Sequence, residues 1–113
     1  MELKIALAQM NVSLGQPRQN EEMARSLVAR AADAGAQLAV LPELWFAGYD
    51  LAHADETAAA LDEGAFALMA EMAREHGLYL VGTSLEANPG GRPYNTAALF
   101  SPGGQILGVY RKI

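Results

Sequence analysis

Residues 37–43 read Gln-Leu-Ala-Val-Leu-Pro-Glu, so a short apolar run stops at a proline that a carboxylate follows directly. Such a run predicts a buried strand that ends at Pro42. In open α/β sheets, ligands gather beyond the carboxyl ends of the strands, which places Glu43 where a functional group is expected. Apolar neighbours would desolvate this carboxyl, raise its pKa and make it a general base near neutral pH. A helix-capping or surface carboxylate is the alternative.

The chain before this run predicts a βαβ unit. Leu3 to Met10 alternates in a way that is consistent with a well-buried strand, and a turn signal follows it. Asn20 is placed to cap a helix that Gly35 would end. The apolar side of that helix would carry Met23, Leu27, Ala31 and Ala34. A strand, a helix and a second strand with short connections should bring the two strands together in parallel.

The chain after residue 55 predicts one more helix and three more strands. The helix is expected over 56–76, and Gly77 would end it. Its buried side would carry Leu61, Leu68 and Met72. The strands are expected at 78–85, 94–100 and 105–112. Residues 101–104 read Ser-Pro-Gly-Gly and would join the last two strands as a hairpin. The order βαβαβββ predicts an α/β fold in which helices pack on a mixed sheet.

The last expected strand closes on Tyr110-Arg111-Lys112, which carries two adjacent basic residues. Because side chains alternate along a strand, Tyr110 and Lys112 should point to one face and Arg111 to the other. A lysine on an inward face needs an opposite charge, and Glu43 is the candidate. The alternative is a solvated basic strand end.

The composition bounds the class of protein. The chain has 113 residues, 51% of them hydrophobic, which is typical of a globular protein. Eight Lys and Arg against 13 Asp and Glu leave a net charge of -5, which argues against nucleic acid as a partner. The apolar runs are too short to span a bilayer, so no membrane association is expected. In the absence of a targeting signal, a cytoplasmic location is expected.

Other catalytic or ligand-binding patterns are weak. The only histidines, His53 and His76, are spaced as in no metal motif, and no serine lies in a G-x-S-x-G elbow. The chain has no cysteine, which excludes disulfides, thiolate metal sites and a cysteine nucleophile within these residues. No residue implies a metal or an organic cofactor.

Taken together, four segments make the chain resemble the nitrilase, or carbon–nitrogen hydrolase, superfamily. Leu-Pro-Glu alone would be weak evidence, but the four segments in this order are specific. They are residues 4–10, Leu41-Pro42-Glu43 with Gly48-Tyr49-Asp50, Tyr94-Asn95-Thr96-Ala97, and residues 108–112. The resemblance implies a two-sheet αββα sandwich with helices on the outer face of each sheet. It also implies a catalytic set of Glu43, Lys112 and a cysteine that lies on a later strand, outside residues 1–113.

The resemblance further implies a hydrolase of non-peptide carbon–nitrogen bonds. The segments are closest to omega-amidase-like members such as 2-oxoglutaramate amidases. Such an enzyme releases ammonia from a small carboxylic acid amide through a cysteine acyl-enzyme, and its substrate is a small molecule. Trp45, Phe46 and Tyr49 would line the substrate pocket, or would simply pack their loop onto the sheet. The complete protein would be a homo-oligomer.

Residues 1–113 are therefore expected to be the N-terminal portion of a single carbon–nitrogen hydrolase domain. This chain should be inactive on its own because it lacks the nucleophile. Its sheet should expose an edge and an apolar face and should make the isolated chain prone to aggregation. Two alternatives stay open. One is a non-catalytic scaffold or interaction protein of the same fold, and the other is a hydrolase of nitriles or N-carbamoyl compounds.

Overall fold

The computed structural model of the protein describes residues 2–113 and contains, within them, one five-stranded sheet. Its strands are β1 (Ile5–Leu7), β2 (Leu38–Val40), β3 (Tyr79–Glu86), β4 (Tyr94–Phe100) and β5 (Ile106–Arg111). Its helices are α1 (Pro17–Asp33), α2 (Ala54–Thr57) and α3 (Gly64–His76), and a 3-10 turn over Leu51–His53 precedes α2. None of the helices in this part of the chain combines the length and the apolar character that crossing a membrane requires.

The sheet is mixed and its strands follow chain order, β1-β2-β3-β4-β5. β1, β2 and β3 are parallel, and β3, β4 and β5 form antiparallel pairs. The expected βαβ unit and the expected hairpin are therefore confirmed. Val81 on the central strand lies between Val40 on β2 and Leu99 on β4. This row defines one face of the sheet.

Helices α1 and α3 cover the opposite face. They bury a core that includes Val28 on α1, Met69 on α3, and Leu80 and Phe100 on the sheet. The predicted α/β class, with helices packed on a mixed sheet, is confirmed. The other face, which carries Val40, Val81 and Leu99, is covered by no helix among residues 2–113, and we call it the open face. Tyr110, on the same face at the edge, is 64% exposed.

Strand β1 is shorter and more exposed than its sequence predicts. The expectation of a well-buried strand over residues 3–10 was wrong, since only Ile5–Leu7 pairs, and it pairs with β2 alone. Leu7 is 69% exposed. The reason is that β1 is an edge strand whose apolar side chains point to the open face, whereas Ala6 and Ala8 point to the helices.

Helix α1 begins three residues before the predicted cap. Pro17 stands in its first turn, where a fixed φ is already helical, so Asn20 lies inside the helix and does not cap it. The buried Asn20 side chain instead binds the backbone of Ser13, at 2.8 Å, and the carbonyl of Phe46, at 2.9 Å. Of the four residues expected on the apolar side of this helix, Ala31 is buried and Leu27 packs partly against the core, whereas Met23 and Ala34 are exposed. The buried residues of α1 are Asn20, Ala24, Val28 and Ala31.

The single helix expected over 56–76 is wrong, because the chain breaks between α2 and α3. Ala59 lies beside β3: its N–H donates to the carbonyl of Leu85, and its carbonyl accepts from the N–H of Ala87. These long-range hydrogen bonds outweigh local helix propensity. Gly77, at φ 63°, ends α3 as predicted. Of the three residues expected on the buried side, Met72 is buried, and Leu61 and Leu68 only partly.

Candidate active site

Glu43 and Lys112, which are 69 residues apart in sequence, meet at the edge of the open face. The ammonium nitrogen Nζ of Lys112 lies 3.2 Å from Oε1 of Glu43. Lys112 follows β5 directly, and its backbone N–H donates to the carbonyl of Asn95 on β4. The segment after β2 continues along β3, because the N–H of Leu41 donates to the carbonyl of Val81. This path carries Glu43 across to β4 and β5.

Asn95 is a third member of the cluster, which sequence reasoning missed. Its side-chain amide Nδ2 donates to Oε1 of Glu43 at 2.8 Å, so Asn95 and Lys112 bind the same oxygen. The segment Tyr94-Asn95-Thr96-Ala97 is one of the four that carry the family resemblance, but the sequence analysis assigned no function to Asn95. The available signal was its alternation, which puts Asn95 on the same face as Lys112.

The carboxyl of Glu43 is surrounded by hydrogen-bond donors. The Tyr49 hydroxyl, the Asn95 amide and the Lys112 ammonium hold the pKa of Glu43 below its ordinary value. The carboxylate in turn raises the pKa of Lys112. The expectation that apolar neighbours would raise the pKa of Glu43 was wrong, because the groups that face it are polar. Glu43 is therefore ionised and Lys112 protonated at neutral pH.

Removing the ammonium should change how Glu43 titrates. We expect Lys112→Met to raise the pKa of Glu43, because the nearby cation no longer favours the charged carboxylate. Because the pKa of Glu43 is lower in the folded state than in the unfolded state, its ion pair with Lys112 stabilises the fold at a pH above the unfolded-state value. That stabilisation is lost as the pH falls through the folded-state pKa. Carbon-13 NMR titration of the Glu43 side chain measures the shift. Lys4→Met, directly before β1, is the matched control, and identical titration of Glu43 in both variants would contradict the expectation.

The backbone directly after Glu43 is held in an unusual conformation. Leu44 has φ 50° and is the one non-glycine residue among residues 2–113 with a positive φ. For a residue with a β-carbon this region costs roughly 1–2 kcal/mol. The hydroxyl Oγ1 of Thr83 accepts the N–H of Leu44 at 2.7 Å. Thr83 on β3 therefore helps to fix the direction in which Glu43 points.

Thr83→Val should destabilise the fold, because it leaves the N–H of the buried Leu44 without its acceptor. An unsatisfied buried donor costs about 1–3 kcal/mol. Thr83→Ser keeps the oxygen and should lose much less, so the two variants separate the hydrogen bond from packing. Urea denaturation of the protein that carries this chain measures both. Equal losses in the two variants would show that the hydroxyl contributes little.

The three aromatic residues of the loop after Glu43 occupy different environments. Trp45 is fully buried in the core on the helix side, and the Phe46 ring packs edge-on against it with centroids 5.4 Å apart. For Trp45 the geometry favours the packing alternative. Tyr49 is 58% exposed, and Glu43 raises the pKa of its hydroxyl, so of the three it is the one placed at the cluster.

A cavity of about 420 Å³ lies beside the end of β3, and its lining includes none of Glu43, Asn95 and Lys112. Leu85, which forms part of its wall, is paired with Asn95 across β3 and β4 and lies on the same face. This volume suits a small organic molecule. The remaining lining comes from two segments, residues 51–55 and 91–93. Sequence reasoning did not find it, because these segments meet only in the folded chain.

In the part of the chain that the structure describes, neither histidine makes a hydrogen bond to Glu43, Asn95 or Lys112. His53 Nδ1 is 2.9 Å from Oδ1 of Asp50, which raises the pKa of the imidazole. His76 occupies the last turn of α3. Within residues 2–113, no three His, Asp or Glu side chains are arranged as a metal-binding group.

Comparison with known proteins identifies the family. The family model for carbon–nitrogen hydrolases matches residues 4–113. The chain belongs to the carbon–nitrogen hydrolase family. It is 34% identical over 112 residues to a 2-oxoglutaramate amidase of Bacillus subtilis, covering 99% of this chain and 43% of that protein. It is 36% identical over 110 residues to omega-amidase NIT2 of Danio rerio, covering 97% of this chain and 39% of that protein.

A solved structure supports the assignment of this carbon–nitrogen hydrolase chain. A variant of an amidase from Nesterenkonia sp. AN1 superposes with a TM-score of 0.83 at 29% identity, covering 99% of this chain and 44% of that one. That amidase was captured with acrylamide added at its active-site cysteine. The present chain spans about two fifths of the length of the curated relatives it matches.

Proposed function

We propose that Glu43 and Lys112 are the general base and the oxyanion-stabilising cation of an amide-hydrolysing site. The contact that carries the proposal is the 3.2 Å distance between Lys112 Nζ and Glu43 Oε1. A carboxylate that accepts a proton and an ammonium that stabilises negative charge are the two groups that acyl transfer from an amide requires beside a nucleophile. The cavity bounded by Leu85, whose partner on β4 is Asn95, is large enough to hold a small amide.

The nucleophile in this proposal is a cysteine outside residues 1–113. Glu43 takes the thiol proton as the sulfur attacks the amide carbon, and Lys112 stabilises the resulting oxyanion. Glu43 returns that proton to the nitrogen as the carbon–nitrogen bond breaks, and ammonia leaves. Water then attacks the thioester with Glu43 as base, which releases the carboxylic acid and restores the thiol. Tyr49, an exposed residue beside Glu43, would contact the substrate.

Residues 1–113 are, in this proposal, the N-terminal portion of a single domain. Two observations support it: the open face of the sheet is apolar, and the curated relatives are more than twice as long as this chain. We call the product of the whole reading frame the complete protein. Its assembly into a homo-oligomer and its cytoplasmic location stay predictions.

The proposed substrate is a small carboxylic acid amide. The names of the two curated relatives, a 2-oxoglutaramate amidase and an omega-amidase, support this class. A non-catalytic scaffold of the same fold is the second candidate, and the absence of cysteine from these 113 residues is consistent with both. The coding sequence after Ile113 separates the two, since an in-frame cysteine is required by the first.

Ammonia release by the complete protein tests the function. We expect turnover of the monoamide of a short dicarboxylic acid, and none by the purified 113-residue chain. The matching mononitrile and an N-carbamoyl amino acid serve as competing substrates. Preference for either of these would replace the proposed substrate class. Turnover by the 113-residue chain alone would contradict the need for an outside cysteine.

A further inference from the structure

An ion pair between a buried carboxylate and a half-exposed arginine lies on the helix side of the sheet, on the face opposite the Glu43–Lys112 cluster. The guanidinium of Arg111 binds the carboxylate of Glu86 through two hydrogen bonds, Nε to Oε1 at 2.8 Å and Nη2 to Oε2 at 2.7 Å. The Glu86 side chain is only 8% exposed, against 51% for Arg111. This bidentate geometry is the strongest arrangement for an arginine–carboxylate pair.

Neighbouring strand residues complete this pair. The Thr96 hydroxyl donates to Oε1 of Glu86 at 2.8 Å, and the Arg111 guanidinium stacks 4.6 Å from the centre of the Tyr94 ring. The Arg111 guanidinium lowers the pKa of the Glu86 carboxyl, and the Thr96 hydroxyl lowers it to a smaller extent. Three hydrogen bonds to a buried carboxylate hold the Glu86 side chain in one geometry.

The end of β5 that carries Lys112 is held by its backbone on one side. Within residues 2–113, β5 pairs with β4 only, where Thr96 stands opposite Arg111 and the Lys112 N–H donates to the carbonyl of Asn95 at 2.9 Å. These backbone contacts reach no further than β4. Arg111 is the last residue of β5, and its contact with Glu86 ties that end to the central strand β3.

We propose that the Glu86–Arg111 ion pair is a positioning device that holds the Lys112 ammonium at Glu43. Successive side chains of a strand point to opposite faces, so fixing Arg111 on the helix side fixes Lys112 on the open face. This inference deepens the proposed function and rests on it. Arg111 and Glu86 act through Lys112 and contact no substrate.

The same alternation accounts for the Tyr-Asn-Thr segment on β4. Tyr94 and Thr96 face the ion pair, whereas Asn95 between them faces Glu43. Residues 94–96 and 111–112 therefore contribute to both faces of the sheet. Their side chains on the helix side form the ion pair and its contacts, and those on the open face belong to the Glu43–Lys112 cluster.

Kinetics of the complete protein test the inference with two independent variants. Arg111→Lys keeps the charge but loses the bidentate geometry, and Glu86→Gln keeps the size but loses the charge. In each we expect kcat per folded molecule to fall about 10- to 100-fold, because small misplacement of a catalytic group has an effect of that size. KM should change little. The acid limb of the pH–rate profile should move to higher pH, since Glu43 loses its cation.

Arg25→Lys is the matched control. Arg25 also pairs with carboxylates, at 2.9 Å from Glu21 and 3.3 Å from Glu71, but on the outer helices. The Arg25→Lys substitution should leave kcat and the pH–rate profile unchanged. Unchanged kcat per folded molecule in both Arg111→Lys and Glu86→Gln, even with lower thermal stability, would overturn the positioning role. Lys112→Ala separates the two proposals, because full activity in that variant would defeat the proposed function itself.

Discussion

Glu43→Gln in the complete protein should lower kcat for amide hydrolysis about a thousandfold, within the range for loss of a general base. Glutamine has the same size and still accepts the hydrogen bonds of Asn95 and Lys112, but it cannot take the thiol proton. The variant should therefore fold normally but hydrolyse the amide far more slowly. Steady-state ammonia release together with circular dichroism measures the two effects separately.

Glu22→Gln is the control for this substitution. Glu22 is an exposed residue of α1, on the helix side of the sheet, so the same chemical change there should leave kcat unaltered. A Glu43→Gln variant that kept more than about a tenth of wild-type kcat would contradict the role of Glu43 as the base.

Val81→Glu should have opposite effects in the complete protein and in the isolated 113-residue chain. Val81 lies at the centre of the open face, between Val40 and Leu99. If the rest of the domain covers this face, the new carboxylate is buried there without a partner, which costs several kcal/mol and should prevent folding. In the isolated chain the same face stays in water, and the charge should reduce self-association.

Size-exclusion chromatography of the isolated chain and urea denaturation of the complete protein measure these two effects. Leu14→Glu, at a residue 64% exposed before α1, is the control and should change little in either protein. A wild-type 113-residue chain that is monomeric and melts in one sharp transition would contradict the account of the open face.

Several elements of the fold follow from local signals in the sequence. The strand Tyr94–Phe100 was predicted with its observed bounds, because turn residues flank it on both sides. Gly77 ended α3 as expected. The break before α3 was not predictable, because Ala59 leaves the helix for hydrogen bonds with Leu85 and Ala87, which are far away in sequence.

The candidate active site also has features that the sequence predicted and features that it did not. Proximity of Glu43 and Lys112 followed from strand ends and alternation, and the structure brings them together. Asn95 and Thr83 were missed because their roles depend on which strands become neighbours. For the same reason the direction of the Glu43 pKa was wrong: local sequence shows the apolar run before Glu43 but not the donors that β4 and β5 bring to it.

The most direct test of the whole account is the intact mass of the complete protein, quenched during turnover of a small dicarboxylic monoamide. The account predicts a fraction of molecules heavier by the acyl group, with the adduct on a cysteine after residue 113 and absent from Glu43→Gln. Turnover without any adduct, or an adduct on a residue within 1–113, would contradict it.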